Sequence, residues 1–203
     1  MNAITDATTL RAHFGPVSAL AENKQLDYLD RHCQAFIAIS PFLVLATTDG
    51  QGGVDASPRG DAPGFVKIID QHTLLLPDRP GNRRVDSLRN IVAHPGVGLL
   101  FFVPGIEETV RINGNGRVIT DADLLAQVPA ENKIPATGVL IAVTEAFYQC
   151  AKALIRSKLW DPSTKIDRKT FPSLGQIIAD QVKGIDAKTA DTNIADSYRT
   201  RLY

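Results

Sequence analysis

The hydrophobic period of the chain changes near residue 40. Before it, Leu26, Leu29, Cys33, Phe36 and Ile37 recur at helical spacing, which predicts an amphipathic helix over residues 27–39, ended by Ser40-Pro41. A shorter helix is expected over residues 5–14, stopped by Gly15-Pro16. After it, apolar runs shorten and turn residues punctuate them. Phe42 to Thr48 reads as a buried strand, Asp49-Gly50-Gln51-Gly52-Gly53 as a turn with ample positive-φ capacity, and residues 54–57 as the returning strand. Residues 65–69 and 73–76 form a second pair joined at Asp70-Gln71, residues 97–103 a strongly apolar strand, residues 109–119 a long strand broken by glycines, and residues 138–147 the last. Asn82 is expected to cap a single inserted helix running to Asn90.

About seven strands with short connections and one inserted helix predict a mainly β fold with flanking helices, an antiparallel barrel rather than a βαβ layout. Residues 149–159 and 173–182 read as helices, and the last twenty residues as loosely attached. The expected division is a helical segment over 1–40 packed on the barrel, the barrel with a closing helix over 41–162, and an extension over 163–203.

Composition narrows the function classes. Lys and Arg number 22 and Asp and Glu number 22, so no long-range attraction to nucleic acid or an anionic membrane is expected. No apolar run reaches the roughly 18–20 residues needed to span a bilayer, and the first residues lack a signal-peptide core. Two cysteines, Cys33 and Cys150, make neither a disulfide framework nor a metal-binding pair, so a reducing, cytoplasmic setting is expected. The four histidines are scattered without metal-ligand spacing, and Cys33 beside His32 reads as core packing. Asn113-Gly114-Asn115-Gly116 lies within a strand-like stretch and lacks a following lysine, so it reads as strand glycines or a bulge rather than a phosphate loop. No paired carboxylates or nucleophile motif stand out, so no catalytic side chain is assigned.

Against this neutral background, "RPGNRRVDSLRN" (residues 79–90) gathers Arg79, Arg83, Arg84 and Arg89 against the lone acid Asp86. With Asn82 at an N-cap, Arg83 and Arg84 fall in a first helical turn, where a cation is unfavourable unless an anion compensates. A phosphate monoester would do so through backbone N–H and guanidinium bonds together; the alternative is a solvated face of weak surface pairs. In "SPRGD" (Ser57, Pro58, Arg59, Gly60, Asp61), Pro58 marks a strand edge, Arg59 is the reaching side chain and Gly60 admits close backbone approach; the alternative is a turn in which Arg59 pairs with Asp61. Lys152, Arg156 and Trp160, at i, i+4 and i+8, would share one helix face suited to an anionic aromatic group, or else form a basic outer face with Trp160 packed in the core.

An apolar strand, a D-G turn, a short strand with a polar break, a hairpin, Asn82-Arg83-Arg84 opening a helix, and a Leu-Leu-Phe strand follow an order that resembles the pyridoxamine 5′-phosphate oxidase-like proteins, FMN-binding split β-barrels. The likeness is strongest over residues 82–118, extends upstream through "PFLVLATTDGQGGVDASPRGD", and with "CAKALIRSKLWDP" covers about residues 36–162. It implies an antiparallel split barrel that binds FMN at the interface of a homodimer. Ser57 to Asp61 would lie along the flavin, Asn82, Arg83 and Arg84 would hold its phosphate, Thr109 would reach the ring or ribityl chain, and Arg156, Ser157 and Trp160 would close the site. "SPRGD" replaces the more apolar R-x-V-L-L-K pattern of the vitamin B6 oxidases, so the resemblance implies an FMN-dependent oxidoreductase whose small-molecule substrate is open. A non-catalytic flavin-binding protein, or a split barrel binding F420 or haem, is the alternative.

Overall fold

The computed structural model describes residues 2–203. Two short helices, α1 (Ala7–Phe14) and α2 (Ala19–Asn23), precede α3 (Arg31–Ile39). Asp30 caps α3 by accepting from the Cys33 N–H at 2.8 Å, and the helix buries Cys33, Phe36 and Ile37 on the barrel. The strands are β1 (Phe42–Thr48), β2 (Val54–Gly60), β3 (Lys67–Asp70), β4 (Thr73–Pro77), β5 (Gly96–Val103), β6 (Ile106–Ile119) and β7 (Gly138–Gln149). The helix α4 (Asp86–Ala93) is inserted between β4 and β5, α5 (Ala122–Leu125) between β6 and β7, and α6 (Lys152–Ser157) follows β7.

All pairings are antiparallel, in the order β2-β1-β5-β6-β7-β4-β3. The sheet curls but no ladder joins its edges β2 and β3, which makes it a split barrel. Period-two alternation sets the two faces: on β5, Val97, Leu99, Phe101 and Val103 point into the core while Gly98, Leu100 and Phe102 point outward. The β1–β2 turn is closed by Asp49, whose carboxylate accepts from the Gln51 and Gly53 N–H groups. Pro58, which cannot donate to a ladder, sits on the edge strand β2. The glycine run of β6 is a bulge, with the register shifting between Asn113 and Gly114; a Cβ at Gly114 would stand 2.2 Å from the Ala142 carbonyl oxygen, so the backbones there meet as only glycine permits.

Three expectations differ from the structure. Asn82 does not cap a helix: α4 begins at Asp86, because Arg83 (φ 61°) and Val85 (φ 53°) both adopt left-handed backbone. Arg83 and Arg84 therefore lie in the loop before the helix, not in its first turn. The face expected to carry Lys152, Arg156 and Trp160 together does not form, since α6 ends where Lys158 turns left-handed (φ 51°) and Leu159 N–H closes on the Leu154 carbonyl. The last residues are not loose: α7 (Leu174–Gln181) and α8 (Ala187–Thr200) form a hairpin held by Asp191, which accepts from Ser173 Oγ and the Gly175 N–H. Tyr203 then returns to the barrel. Among the described residues no helix is long and apolar enough to cross a membrane.

Candidate functional site

The site is built where the end of the edge strand β2 meets the chain that follows β4 and the helix α4. On β2, Ser57 and Arg59 share the side of Asp55, while Pro58 and Gly60 face outward. Arg59 turns inward: Nη1 donates to Asp78 Oδ1 at 2.8 Å and Nη2 to Ser87 Oγ at 3.1 Å on α4. Ser87 in turn donates to Asp55. One step further along, Asp61 receives Arg79 Nε at 2.6 Å. These pairs are crossed: Arg59 and Asp61, from the end of β2, hold Asp78 and Arg79, which follow β4. Two ion pairs thus tie the end of the edge strand β2 to the chain just after β4, strands that no backbone ladder joins. The sequence places Arg59 beside Asp61 and Arg79 within an arginine cluster, so the true partners, nearly twenty residues apart, are not visible there.

Asp61 is nearly sealed, with 4 % of its side chain exposed. Burial alone would raise its pKa, but the Tyr203 hydroxyl, the Ala62 N–H and the Arg79 guanidinium outweigh it and hold the carboxyl below the ordinary aspartate value of 3.8. A depressed folded-state pKa stabilises the fold above the unfolded value, and that contribution is lost as pH falls through the folded value. The stability gap between the wild type and Asp61→Asn is therefore expected to be full at pH 7 and to narrow below about pH 4, as chemical denaturation across pH would measure. A gap constant from pH 7 to pH 3 would contradict this pairing.

Of the arginine cluster, Arg79 is spent on Asp61 and on the Val128 carbonyl at 2.9 Å. Arg84 Nε pairs with Asp86 at 2.8 Å but is 73 % exposed, so water screens that pair. Among the described residues Arg83 makes no side-chain hydrogen bond or ion pair, and Asn82 accepts from the Arg84 N–H at 3.0 Å, tightening the turn. Arg83 and Val85, on either side of Arg84, both take left-handed backbone, and the Arg84 N–H between them is taken by Asn82 Oδ1. Left-handed backbone at the β-branched Val85 costs on the order of 1–3 kcal/mol, so the loop is held in a shape that its own residues disfavour.

A second group sits elsewhere. Thr109 is buried on β6, its hydroxyl 3.4 Å from Gln149 Oε1. Trp160 Nε1 donates to the Ile106 carbonyl at 2.8 Å, pinning the segment after α6 to the start of the same strand. Ser157 bonds back to the Leu154 carbonyl, and Arg156 is exposed on α6. Strands β1 and β5 separate β6 from β2, three strand steps or roughly 14 Å along the sheet. Among the described residues no hydrogen bond or ion pair links Thr109, Arg156, Ser157 or Trp160 to Asn82, Arg83 or Arg84. One protomer brings the β2 edge close to α4 and Trp160 onto the start of the strand that carries Thr109, but no bond joins the two groups among the described residues.

The buried nucleophile candidate is inert. Burial, then Asp30, push the Cys33 thiol up to about 12, so it stays protonated at neutral pH. Both cysteines are free.

A family model described as pyridoxamine 5′-phosphate oxidase matches residues 29–151. No curated protein matches the chain. Among solved structures, HupZ from Group A Streptococcus is 16% identical, with a TM-score of 0.47, covering 59% of this chain and 92% of its own. A candidate pyridoxamine 5′-phosphate oxidase from Lactobacillus delbrueckii is 23% identical, with a TM-score of 0.46, covering 61% and 98%. An FMN-binding protein from Syntrophomonas wolfei is 9% identical, with a TM-score of 0.45, covering 70% and 96%. At these identities none of them transfers a ligand or a reaction to this chain.

Proposed function

Because the chain belongs to the pyridoxamine 5′-phosphate oxidase family, we propose that it is an FMN-dependent oxidoreductase that moves hydride to or from a small molecule. The observation that supports this best is the loop before α4: among the described residues, a guanidinium without a protein partner at Arg83 and a screened one at Arg84, on a backbone that is left-handed at Arg83 and Val85. Two neighbouring guanidinium forks suit a phosphate monoester. The β2 edge also fits a bound polar ring, since Arg59 Nε is buried with no hydrogen-bond partner and the group it lacks is an acceptor. FMN, when bound, supplies the hydride chemistry. The chain's own residues orient it: Asn82, Arg83 and Arg84 hold the phosphate, and Ser57 to Asp61 form a wall braced by Asp78 and Arg79.

The same reading assigns a homodimer. Among the described residues no hydrogen bond or ion pair joins Thr109, Arg156, Ser157 or Trp160 to the phosphate loop within one protomer, and in this reading a second copy supplies them. The outward face of the sheet fits this role, since Val44, Leu100, Phe42, Phe102, Val54 and Pro58 present apolar side chains there. The barrel and α6 then carry the cofactor, with residues 1–40 and 163–203 as appendages, in a reducing, cytoplasmic compartment that suits two free cysteines. Protein loaded with FMN is expected to absorb near about 450 nm and to bleach with a nicotinamide or other two-electron donor. Uptake of FMN without bleaching by any of a panel of donors would favour a flavin carrier, and failure to take up FMN would contradict the reading.

A further inference from the structure

The chain leaves the barrel at Trp160 and comes back to it at Tyr203. Among the described residues, no hydrogen bond or ion pair joins residues 161–202 to the strands, and none of their side chains belongs to the barrel's buried cluster. The α7–α8 hairpin hides little apolar surface of its own: Gly175 is buried in α7, and no residue is buried in α8. A segment of this kind is held where it stands by its end points. At one end Trp160 Nε1 donates to the Ile106 carbonyl, on the strand that carries Thr109. At the other, the Tyr203 hydroxyl donates to Asp61 Oδ1 at 2.7 Å, and the Tyr203 main-chain oxygen accepts from Lys133 Nζ at 2.8 Å. The tyrosine is half-buried and borders an open space of about 320 Å³ with Pro80, Ile134 and Thr137, so polar bonds rather than burial keep it in place. Asp61 is shared, since its other oxygen accepts from Arg79. Tyr203 therefore bears on the ion pair that ties the β2 wall to the stem of the phosphate loop.

The two ends thus attach to the two groups of the candidate site, Trp160 beside the start of β6 and Tyr203 on Asp61. We propose that residues 161–203 are a strap that regulates the cofactor site, with Tyr203 as its latch. Docking of Tyr203 on Asp61 fixes the Asp61–Arg79 pair and favours bound FMN; bound FMN in turn favours the docked latch, since such coupling is reciprocal. Release leaves the hairpin tethered at Trp160 alone. The regulatory role rests on the FMN reading above, whereas the latch itself does not.

Electron–electron distance measurement on the full chain tests this, with spin labels at Gln51→Cys in the β1–β2 turn and Lys188→Cys in α8, both exposed, in a Cys150→Ser background. The labelled parent is expected to show one narrow distance. Two hydrogen bonds, each worth about tenfold, hold the docked form in about hundredfold excess, so losing one raises the undocked population to about a tenth. Tyr203→Phe, which keeps the ring, and Lys133→Met, which leaves Asp61 untouched, should each show that second population. The double variant should be largely undocked and bind FMN about fivefold more weakly, the low end of such couplings, with an unchanged thermal melt. Saturating FMN should remove most of the second population of Lys133→Met. A broad distribution in the parent, or a single unchanged distance in the double variant, would overturn the latch. An undocked double variant with parental FMN affinity, or a second population indifferent to FMN, would overturn the regulatory role. A parent that takes up no FMN would sink the cofactor reading and the regulatory role together, while the distances still decide the latch.

Discussion

Replacing Arg83 and Arg84 together by alanine is expected to weaken FMN binding by about a hundredfold or more while the protein stays folded. Hydrogen bonds to a charged group contribute about 1.5–3 kcal/mol each, and every 1.4 kcal/mol is roughly a tenfold change in Kd. Neither side chain is part of the core. Among the described residues Arg83 has no protein partner, and the Arg84–Asp86 pair is exposed, so its loss changes stability by less than about 1 kcal/mol. Asp86, released from Arg84, stays in the first turn of α4, where the helix dipole favours a carboxylate. Fluorescence titration with FMN, beside a thermal melt, separates the two effects. Unchanged affinity would make the cluster a solvated surface; lost affinity with a collapsed melting temperature would place the arginines in the fold.

Arg59→Met is expected to have the larger effect on stability, about 3 kcal/mol, because it strands a half-buried acid. Arg59 and Asp78 meet with side-chain exposures of 19% and 27%, and removing one partner of such a pair leaves the other's desolvation unanswered. Among the described residues the Asp78 carboxylate keeps only the Thr137 hydroxyl, 3.4 Å away, and Ser87 loses a donor. The double variant Arg59→Met with Asp78→Asn removes both charges, so it should cost less than the sum of the single variants. A coupling energy of about 1–3 kcal/mol in a urea-denaturation cycle is the expected value for residues in one network. Additive single variants would mean that the Arg59–Asp78 pair does not hold the end of β2 to the chain after β4.

Much of the barrel is legible in the chain. The β1–β2 hairpin follows from an apolar run and Asp49-Gly50, and β5 from seven nearly unbroken apolar residues, because burial and turn chemistry act locally. The start of α4 is not legible: Asn82 is a residue type that caps helices, and nothing in the sequence announces left-handed backbone at an arginine and a valine. The crossed pairs are hidden for another reason. Arg59 and Asp78 meet only because the sheet curls, and a nearer acid, Asp61, offers the simpler pairing. Trp160 shows the same limit, since the i+4 spacing holds only while the helix lasts and Lys158 ends it. Tyr203 carries no local signal at all; its role exists only once the helical hairpin has carried it back to Asp61.

The central claim is that the loop before α4 recognises a phosphate, and comparison of FMN with riboflavin tests it most directly. The two ligands share ring and ribityl chain and differ only in the phosphate. Equilibrium dialysis of the purified protein is expected to show FMN bound at least about a hundredfold more tightly than riboflavin, the value of two charge-assisted bonds. Equal affinity for the two, or no binding of either, would contradict the account.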